Sequence, residues 1–438
     1  MGIAKSLAMQ EKGRALIPGM TQLLSKRPDQ FSLGVWPGYY SRAKGAEVWD
    51  LDGNRYLDMS ISGIGANVLG YADDDVDAAV KAAVEGGVSC SLNCPEEVEL
   101  AELLCEIHPW AEMVRFARTG GESMAMAVRI ARARTGRDRV AFCGYHGWHD
   151  WYLAANLSEG DVLGEHLLEG LDPGGVPGGL AGTALPFHYN RLDELKGIVA
   201  RHGKELAAIV MEPIRGEDPE PGFLEGVRGL ADECGAVLIV DEISAGFRLN
   251  SGGAHLVLGL TPDVAVFSKA MGNGYAIGAV IGRRDVMESA QRTFISSTCW
   301  TERVGPAAAL ATIGKHRSLD VGRRLQELGG KVQECWRSAA EATRLPVSVG
   351  GMLPLGHFGF RAGDEFMLKA LFVQLMLERG FLASNLFYAM YAHTDEDVEA
   401  YAAAVRDVFG ELTDALRSGD VEARLTGEPS ARGFARLT

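Results

Sequence analysis

Asp263-Val264-Ala265-Val266-Phe267-Ser268-Lys269-Ala270-Met271-Gly272-Asn273-Gly274 joins a short apolar run to a lysine and a glycine-rich turn. Val264–Phe267 is a short apolar run rich in β-branched residues, too short for a helix, and reads as a strand buried on both faces. Lys269 follows where that strand ends and a glycine turn begins. Two further runs of the same kind lie upstream, Leu206–Met211 and Ala236–Val240. Before them come a short strand around Met113–Phe116, a helix over about 122–134 and a strand over 139–143, with helices expected over about 73–86 and 95–107. Strands alternating with helices predict an α/β fold with a mostly parallel central sheet. At the outer ends, residues 45–59 read as a hairpin around Asp52-Gly53-Asn54, and a long helical pattern covers about 306–340. From about Leu345 short strands mix with helices, as in a second, smaller α/β domain. Residues 158–182, which include Leu-Asp-Pro-Gly-Gly-Val-Pro-Gly-Gly-Leu, read as a surface excursion, either a lid or an inert insertion.

Chemistry concentrates at the predicted strand ends. Only 11 of the 43 basic residues are lysine, and Lys269 stands where desolvation can make an amine nucleophilic. The plain alternative is a lysine emerging into water. Asp241 ends the strand Ala236–Val240, and ligands of open α/β sheets bind beyond the carboxyl ends of the strands; otherwise it caps a turn. A carboxylate and an amine at two such ends suit pyridoxal 5'-phosphate, which needs a lysine for a Schiff base and an acid for its pyridine nitrogen. Thr119-Gly120-Gly121-Glu122-Ser123 offers the required phosphate site: a capping box, two glycines that admit a close backbone approach, and a helix N-terminus. The cluster Tyr145-His146-Gly147-Trp148-His149-Asp150-Trp151 could cover a flat cofactor or substrate. His146, His149, Asp150 and His188 lack zincin-type spacing, so aromatic packing is the better reading and no metal is expected.

Composition sets outer bounds. The 438 residues carry 43 Lys and Arg against 58 Asp and Glu, a net charge of −15, which argues against nucleic acid as a partner. With 47% apolar and 23% charged residues the chain is ordinary globular material. Its 55 glycines are in excess but aperiodic, as tight turns and close approaches require. The seven dispersed cysteines form no Cys-x-x-Cys pair and read as reduced thiols. No apolar run is long enough to span a membrane, and the first residues lack the apolar core of a secretory signal, so a cytoplasmic protein without membrane contact is expected.

With these motifs in order, the chain resembles the class III aminotransferases of fold type I, and most of all the branch that contains glutamate semialdehyde aminomutase. The resemblance runs from about Gly45 to Ile313. It is carried by residues 45–58, Thr119–Ser123, Tyr145-His146-Gly147, Glu212-Pro213, Asp241-Glu242 and Phe267–Gly274. It implies an N-terminal segment over 1–72 packing with the small domain, a large cofactor-binding domain over 73–320 and a small C-terminal domain over 321–438. It also implies a homodimer with shared active sites. By matching motif, Lys269 carries the cofactor and shuttles the proton, Asp241 pairs with the pyridine nitrogen, and Gly120 and Gly121 hold the phosphate through backbone amides. Tyr145 stacks on the ring, Ile243 packs its other face, Glu212 lies near the ring hydroxyl, and Thr298 reaches the phosphate from the partner subunit.

Two departures bear on cofactor and substrate. The usual Ser-Gly-Thr-Glu-Ala is here Thr119-Gly120-Gly121-Glu122-Ser123, which removes a hydroxyl at Gly121. Cys299-Trp300-Thr301-Glu302-Arg303 replaces a stretch of small residues. Trp148, Trp151 and Trp300, with Glu302, Glu217 and Asp218, suggest a pocket for a sugar or cyclitol ring bearing amines. The expectation is an aminotransferase taking an amino group from an amino acid, glutamate in first place, to the aldehyde or ketone of an oxidised amino sugar or aminoglycoside. The alternatives are the intramolecular aminomutase and a pyridoxal-phosphate racemase or epimerase. Arg215 and Arg303 are candidates for the donor's carboxylate.

Overall fold

A computed structural model describes residues 2–158, 160–166, 169–214 and 216–433. The chain divides into two compact units, one of residues 1–73 with 323–438 and one of residues 74–322. The first unit opens with helix α1 (Ala4–Leu16) and the strands β1 (Tyr40–Lys44), β2 (Glu47–Asp50) and β3 (Arg55–Met59). β2 and β3 form the predicted antiparallel hairpin. Its turn is held by Asp50, whose carboxylate accepts from the backbone N–H groups of Asp52 and Asn54 at 2.9 and 2.8 Å.

The second unit holds α2 (Asp74–Glu85), α3 (Pro95–Ile107), β4 (Met113–Ala117), α4 (Gly120–Thr135), β5 (Arg139–Cys143), β6 (Ala184–Pro186), α5 (Leu192–His202), β7 (Leu206–Met211), α6 (Phe223–Cys234), β8 (Val237–Asp241), β9 (Val264–Phe267), β10 (Gly278–Gly282) and α7 (Val304–Ser318). Its seven strands form one sheet in the order β4-β10-β9-β8-β7-β5-β6. Strands β6, β5, β7, β8 and β9 run parallel, and β10 is antiparallel to both β9 and β4. The reversal at β10 follows from chain length: residues 268–277 are too few for the crossover of about a dozen or more that a parallel neighbour needs.

Alternation along the strands explains how the sheet is buried on both faces. Ala208, Val210, Val237 and Ile239 join one core with Met124, Ala127, Val128 and Ile130 of α4. Ile209, Met211, Leu238 and Val240 join another with Leu195 and Ile198 of α5 and Phe223 and Val227 of α6. Helices on both faces thus cover the apolar runs Leu206–Met211 and Val237–Val240, which is why these runs carry no polar alternation. Strands β6 and β10 escaped the sequence reading. Ala184–Pro186 is too short to stand out, and Gly278–Gly282 is bounded by glycines that read as turn.

The continuous helical pattern expected over 306–340 is two helices, α7 and α8 (Val321–Thr343), because Asp320 adopts a left-handed conformation with φ 46° between them. The rest of the first unit contains β11 (Val347–Gly350), β12 (Leu355–Phe360), α9 (Glu365–Glu378), β13 (Phe381–Ala383), β14 (Leu386–Tyr388) and α10 (Asp395–Ser418). β13 pairs in parallel with β3, and β11, β12 and β14 form an antiparallel sheet. Phe31, Trp36, Tyr56, Ile61, Val373, Leu377 and Leu382 form a core of this unit. Among the described residues no helix is long and apolar enough to cross a membrane.

Candidate active site

Strand register brings the chemistry-bearing residues to one edge of the large sheet. Cys143 stands beside Met211, Met211 beside Val240, and Asp241 beside Val266, so β5, β7, β8 and β9 end in line. The two antiparallel pairings of β10 bring the end of β4 to the same edge, Ala117 opposite Gly278. The segments bearing Gly120–Gly121, Tyr145–Trp151, Glu212, Asp241–Ser244 and Lys269 therefore all leave the edge where open α/β sheets bind ligands. A cavity of about 350 Å³ at the opposite edge is lined by Arg134, Arg228, Asp263 and Arg283 among others, and holds none of these residues.

Asp241 is buried, and its carboxylate is held from two sides. Oδ1 accepts from the Ile243 N–H at 3.0 Å, and Oδ2 lies 2.8 Å from His146 Nδ1. The other ring nitrogen of His146 lies 3.0 Å from the Cys143 carbonyl. Both nitrogens face acceptors, so a doubly protonated imidazole satisfies the whole arrangement. Trp151 stacks behind His146 at 6.2 Å. The neighbouring Glu242 faces elsewhere, accepting from the N–H groups of Ala254 and His255 at 2.9 and 2.8 Å and from His255 Nδ1 at 2.7 Å. Trp110 Nε1 donates to His255 Nε2 at 3.0 Å, which makes that histidine neutral and Glu242 a holder of the loop.

Lys269 starts a short 3₁₀ turn with φ 45°, a left-handed conformation that a non-glycine residue holds only when its surroundings fix it. Its amine donates to Ser244 Oγ at 2.8 Å. On the far side of the edge, Glu122 accepts from the N–H groups of Arg118 and Thr119 at 3.0 and 3.4 Å, closing the predicted capping box. The first-turn N–H groups of α4, on Gly120 and Gly121, have no acceptor within the helix by construction. Gly120 is small because Ile243 lies against it: a Cβ there would stand 2.9 Å from Ile243 Cδ1. A Cβ on Gly121 would stand 3.0 Å from His149 Nδ1, a buried nitrogen with no hydrogen-bond partner among the described residues. Burial pushes this histidine below its usual range, with Glu122 and Asp150 pulling the other way. Glu212, buried at the end of β7, accepts from the Tyr145 N–H at 3.1 Å.

The outlying candidates fall in different places. Trp148 is 69% exposed, whereas Trp151 is buried against Phe142, His146 and Tyr152, and Trp300 packs partly buried against the same core. Glu302 pairs with Arg118 at 2.8 Å and accepts from the N–H groups of Val304 and Gly305 at 2.7 and 2.9 Å, so it caps α7. Arg303 binds Glu96 through Nε and Nη2 at 2.8 and 2.6 Å. Arg215 lies outside the described residues. Glu217, Asp218 and Thr298 are exposed. His188 pairs with Glu165 and Glu194 and His146 with Asp241, so the histidines do not converge as metal ligands would. The 158–182 excursion is tied at its ends, Ser158 Oγ accepting from the Gly182 N–H at 3.1 Å.

Residues 34–359 match the family described as Aminotransferase class-III. The chain belongs to the class III aminotransferases. This aminotransferase is 34% identical to 3-aminobutyryl-CoA aminotransferase of Cloacimonas acidaminovorans, over 94% of its own length and 98% of the relative's. It is also 34% identical to 2'-deamino-2'-hydroxyneamine transaminase of Streptomyces kanamyceticus, over 87% and 93%. To glutamate-1-semialdehyde 2,1-aminomutase of Anaeromyxobacter sp. it is 36% identical over 86% and 92%. A solved transaminase with PLP bound superposes with a TM-score of 0.84 at 27% identity, covering 95% of this chain and all of that one. The fold is that of the fold-type I enzymes, and pyridoxal phosphate is the aminotransferase's cofactor.

The residues at the sheet edge fit that group. Gly120 and Gly121 leave a cradle that a Cβ would fill, the orphaned His149 nitrogen borders it, and the buried Asp241 carboxylate suits a protonated pyridine nitrogen. Sequence reasoning missed His146 as the partner of Asp241, Ser244 as the partner of Lys269, and the position of His149. Ser244 carried one usable signal, lying three residues beyond Asp241 on the loop that leaves the same strand.

Proposed function

We propose that this aminotransferase moves an amino group from glutamate to the carbonyl carbon of an oxidised amino sugar of the aminoglycoside type, as a cytoplasmic homodimer. The observation that carries the acceptor class is Trp148. Its indole is 69% exposed three residues beyond Tyr145, a flat apolar face on which a sugar ring can stack. The exposed acids Glu217 and Asp218, on the segment after β7, favour a ring that carries ammonium groups. Similarity to 2'-deamino-2'-hydroxyneamine transaminase supports the same class.

Bound pyridoxal phosphate supplies the electron sink for bond breaking at the substrate's amino-bearing carbon. Lys269 would hold the cofactor through Nζ, and the same amine would move the proton at that carbon. Ser244 Oγ accepts from Nζ and keeps the amine in place. The Asp241 carboxylate would pair with the protonated pyridine nitrogen, and His146 fixes that carboxylate. Tyr145 and Ile243 would bracket the ring, Glu212 would lie near its hydroxyl, and the Gly120 and Gly121 amides would hold the phosphate. Thr298 serves the phosphate of a second copy; in the single chain it is exposed, as is Phe294 nearby.

The test uses ¹⁵N-glutamate with an oxidised neamine-type acceptor. The label appears in the amino sugar and one 2-oxoglutarate forms per amine transferred. If glutamate releases no 2-oxoglutarate, the donor assignment falls. Isomerisation of glutamate 1-semialdehyde without uptake of label makes the enzyme an aminomutase, and turnover of 3-aminobutyryl-CoA with no sugar acceptor overturns the acceptor class.

A further inference from the structure

We propose that Arg118 is a positioning residue for the cofactor site of a second copy of this chain, fixing the turn that presents Thr298 to the phosphate bound by that copy. The inference rests on the reading that Thr298 serves the phosphate of a second copy.

Two arginines strap both ends of one exposed segment to the β4 side of the sheet. Arg115, in β4, donates from Nη2 to the Ile295 carbonyl at 2.5 Å. Arg118, one residue beyond the strand, donates from Nη2 to the carbonyls of Trp300 and Glu302, both at 2.8 Å, while its Nε stands 2.8 Å from Glu302 Oε1. Between the two straps Ser296, Ser297, Thr298 and Cys299 are all exposed, and Phe294, beside the first strap, is 86% exposed. The tip of the segment thus stands in solvent on a fixed base, as a residue that acts on another copy requires.

The Arg118 side chain is 11% exposed, and its contacts to two carbonyls fix the direction of the turn, where a point charge facing Glu302 would let it pivot. Glu302, which caps α7, anchors the far end. Within the turn Thr301 Oγ1 donates to the Thr298 carbonyl at 3.1 Å, so a shift of residues 300–302 carries Thr298 with it. Arg118 also touches the start of α4 in its own chain, through its backbone, whose N–H donates to Glu122 Oε2 at 3.0 Å. Backbone and side chain thus serve different places. Arg118→Ala keeps the N–H at the start of α4 and removes the donors to residues 300 and 302.

Mixed dimers separate a residue that acts on the second copy from one that acts on its own site. Two differently tagged chains are co-expressed, one of them with Lys269→Ala, so that borohydride traps cofactor on the other chain alone. The dimer, stripped of cofactor, is titrated with pyridoxal phosphate and with pyridoxal, which lacks the phosphate, and trapping on the peptide containing residue 269 is read by mass. Arg118→Ala on the chain that carries Lys269→Ala is expected to weaken pyridoxal phosphate by about five- to tenfold and pyridoxal by less than about twofold, as for a misplaced charge-assisted hydrogen bond. On the chain that keeps Lys269, Arg118→Ala is expected to leave both ligands within about twofold. Weakening that is as large in the second arrangement as in the first, equal weakening of both ligands, or no weakening in either arrangement overturns the proposal. Arg118→Lys, which keeps a cation without the planar fork, is expected to give the same pattern and makes the comparison should Arg118→Ala chains fail to assemble. Thr298→Val on the chain that carries Lys269→Ala tests the underlying reading. If Thr298→Val selectively weakens pyridoxal phosphate and Arg118→Ala does not, the turn serves the second copy without Arg118. If Thr298→Val has no effect, or only single chains form, the reading of Thr298 is wrong and the role of Arg118 falls with it.

Discussion

His146 Nδ1 lies 2.8 Å from Asp241 Oδ2, with both side chains buried and the imidazole tied by its other nitrogen to the Cys143 carbonyl. The carboxylate proposed to face a pyridine nitrogen is thus fixed by a residue from the loop that follows β5. Removing the imidazole leaves that carboxylate short of a partner in a buried place. His146→Ala is expected to lower kcat/KM for amino transfer by roughly 10- to 100-fold and to destabilise the fold by about 3 kcal/mol. Steady-state kinetics and urea unfolding of the same preparation check both; unchanged kinetics would remove His146 from the site.

Lys269 and Ser244 form the second pair, Nζ to Oγ at 2.8 Å. Lys269→Ala is expected to abolish turnover, by about a thousandfold or more, and borohydride should then fail to trap cofactor on the peptide containing residue 269. Ser244→Ala keeps the amine and removes one neutral acceptor, so a loss of about three- to tenfold is expected, with borohydride trapping intact. A Ser244→Ala variant as dead as Lys269→Ala would mean that the hydroxyl does more than hold the amine.

Gly120 and Ile243 meet across the two sides of the proposed cradle. Gly120→Ala places a methyl group 2.9 Å from Ile243 Cδ1 and 3.1 Å from Cγ2. Overpacking of this kind costs about 1–3 kcal/mol, and cofactor affinity should fall with it. Ile243→Val in the Gly120→Ala background removes the nearest atom and should recover part of both losses, a coupling that a double-mutant cycle measures directly.

Two buried histidines outside the site weaken the fold as pH falls. Burial pushes His108 and His316 down to about 4. His108 Nε2 accepts from the Gly253 N–H at 3.0 Å, a bond that protonation breaks. A histidine whose folded value lies below its unfolded one contributes its stability fully above the unfolded value and loses it as pH falls towards the folded one. Unfolding free energy should therefore drop between about pH 6.5 and 4, by an amount near 3 kcal/mol for each histidine. Urea midpoints across that range test the sign, and His108→Gln should flatten the slope.

Much of the fold was legible because its signals are short-range. β5, β7 and β9 begin and end where the apolar runs do, and α3 spans the expected residues. The capping box at Thr119 and Glu122 was readable from four residues. Strands bounded by glycines, and the left-handed Asp320 that divides one helical pattern into two, gave no such local signal.

The chain's own letters determined the order and type of its elements, the glycines at the start of α4 and the identity of the residues at the strand ends, because periodicity and capping act over a few neighbours. Only the tertiary structure decided which of two adjacent acids faces the site. Asp241 meets His146, 95 positions away, while Glu242 turns to Ala254 and His255. Successive side chains leave a strand on opposite faces, so one position of register turns one carboxylate towards His146 and the next towards the loop at 254–255. Likewise His149 is one ring in an aromatic run until the close approach of Gly147 and Gly121 sets its nitrogen at the start of α4. That contact depends on how a loop from β5 packs on a helix that follows β4, a distance no local pattern encodes.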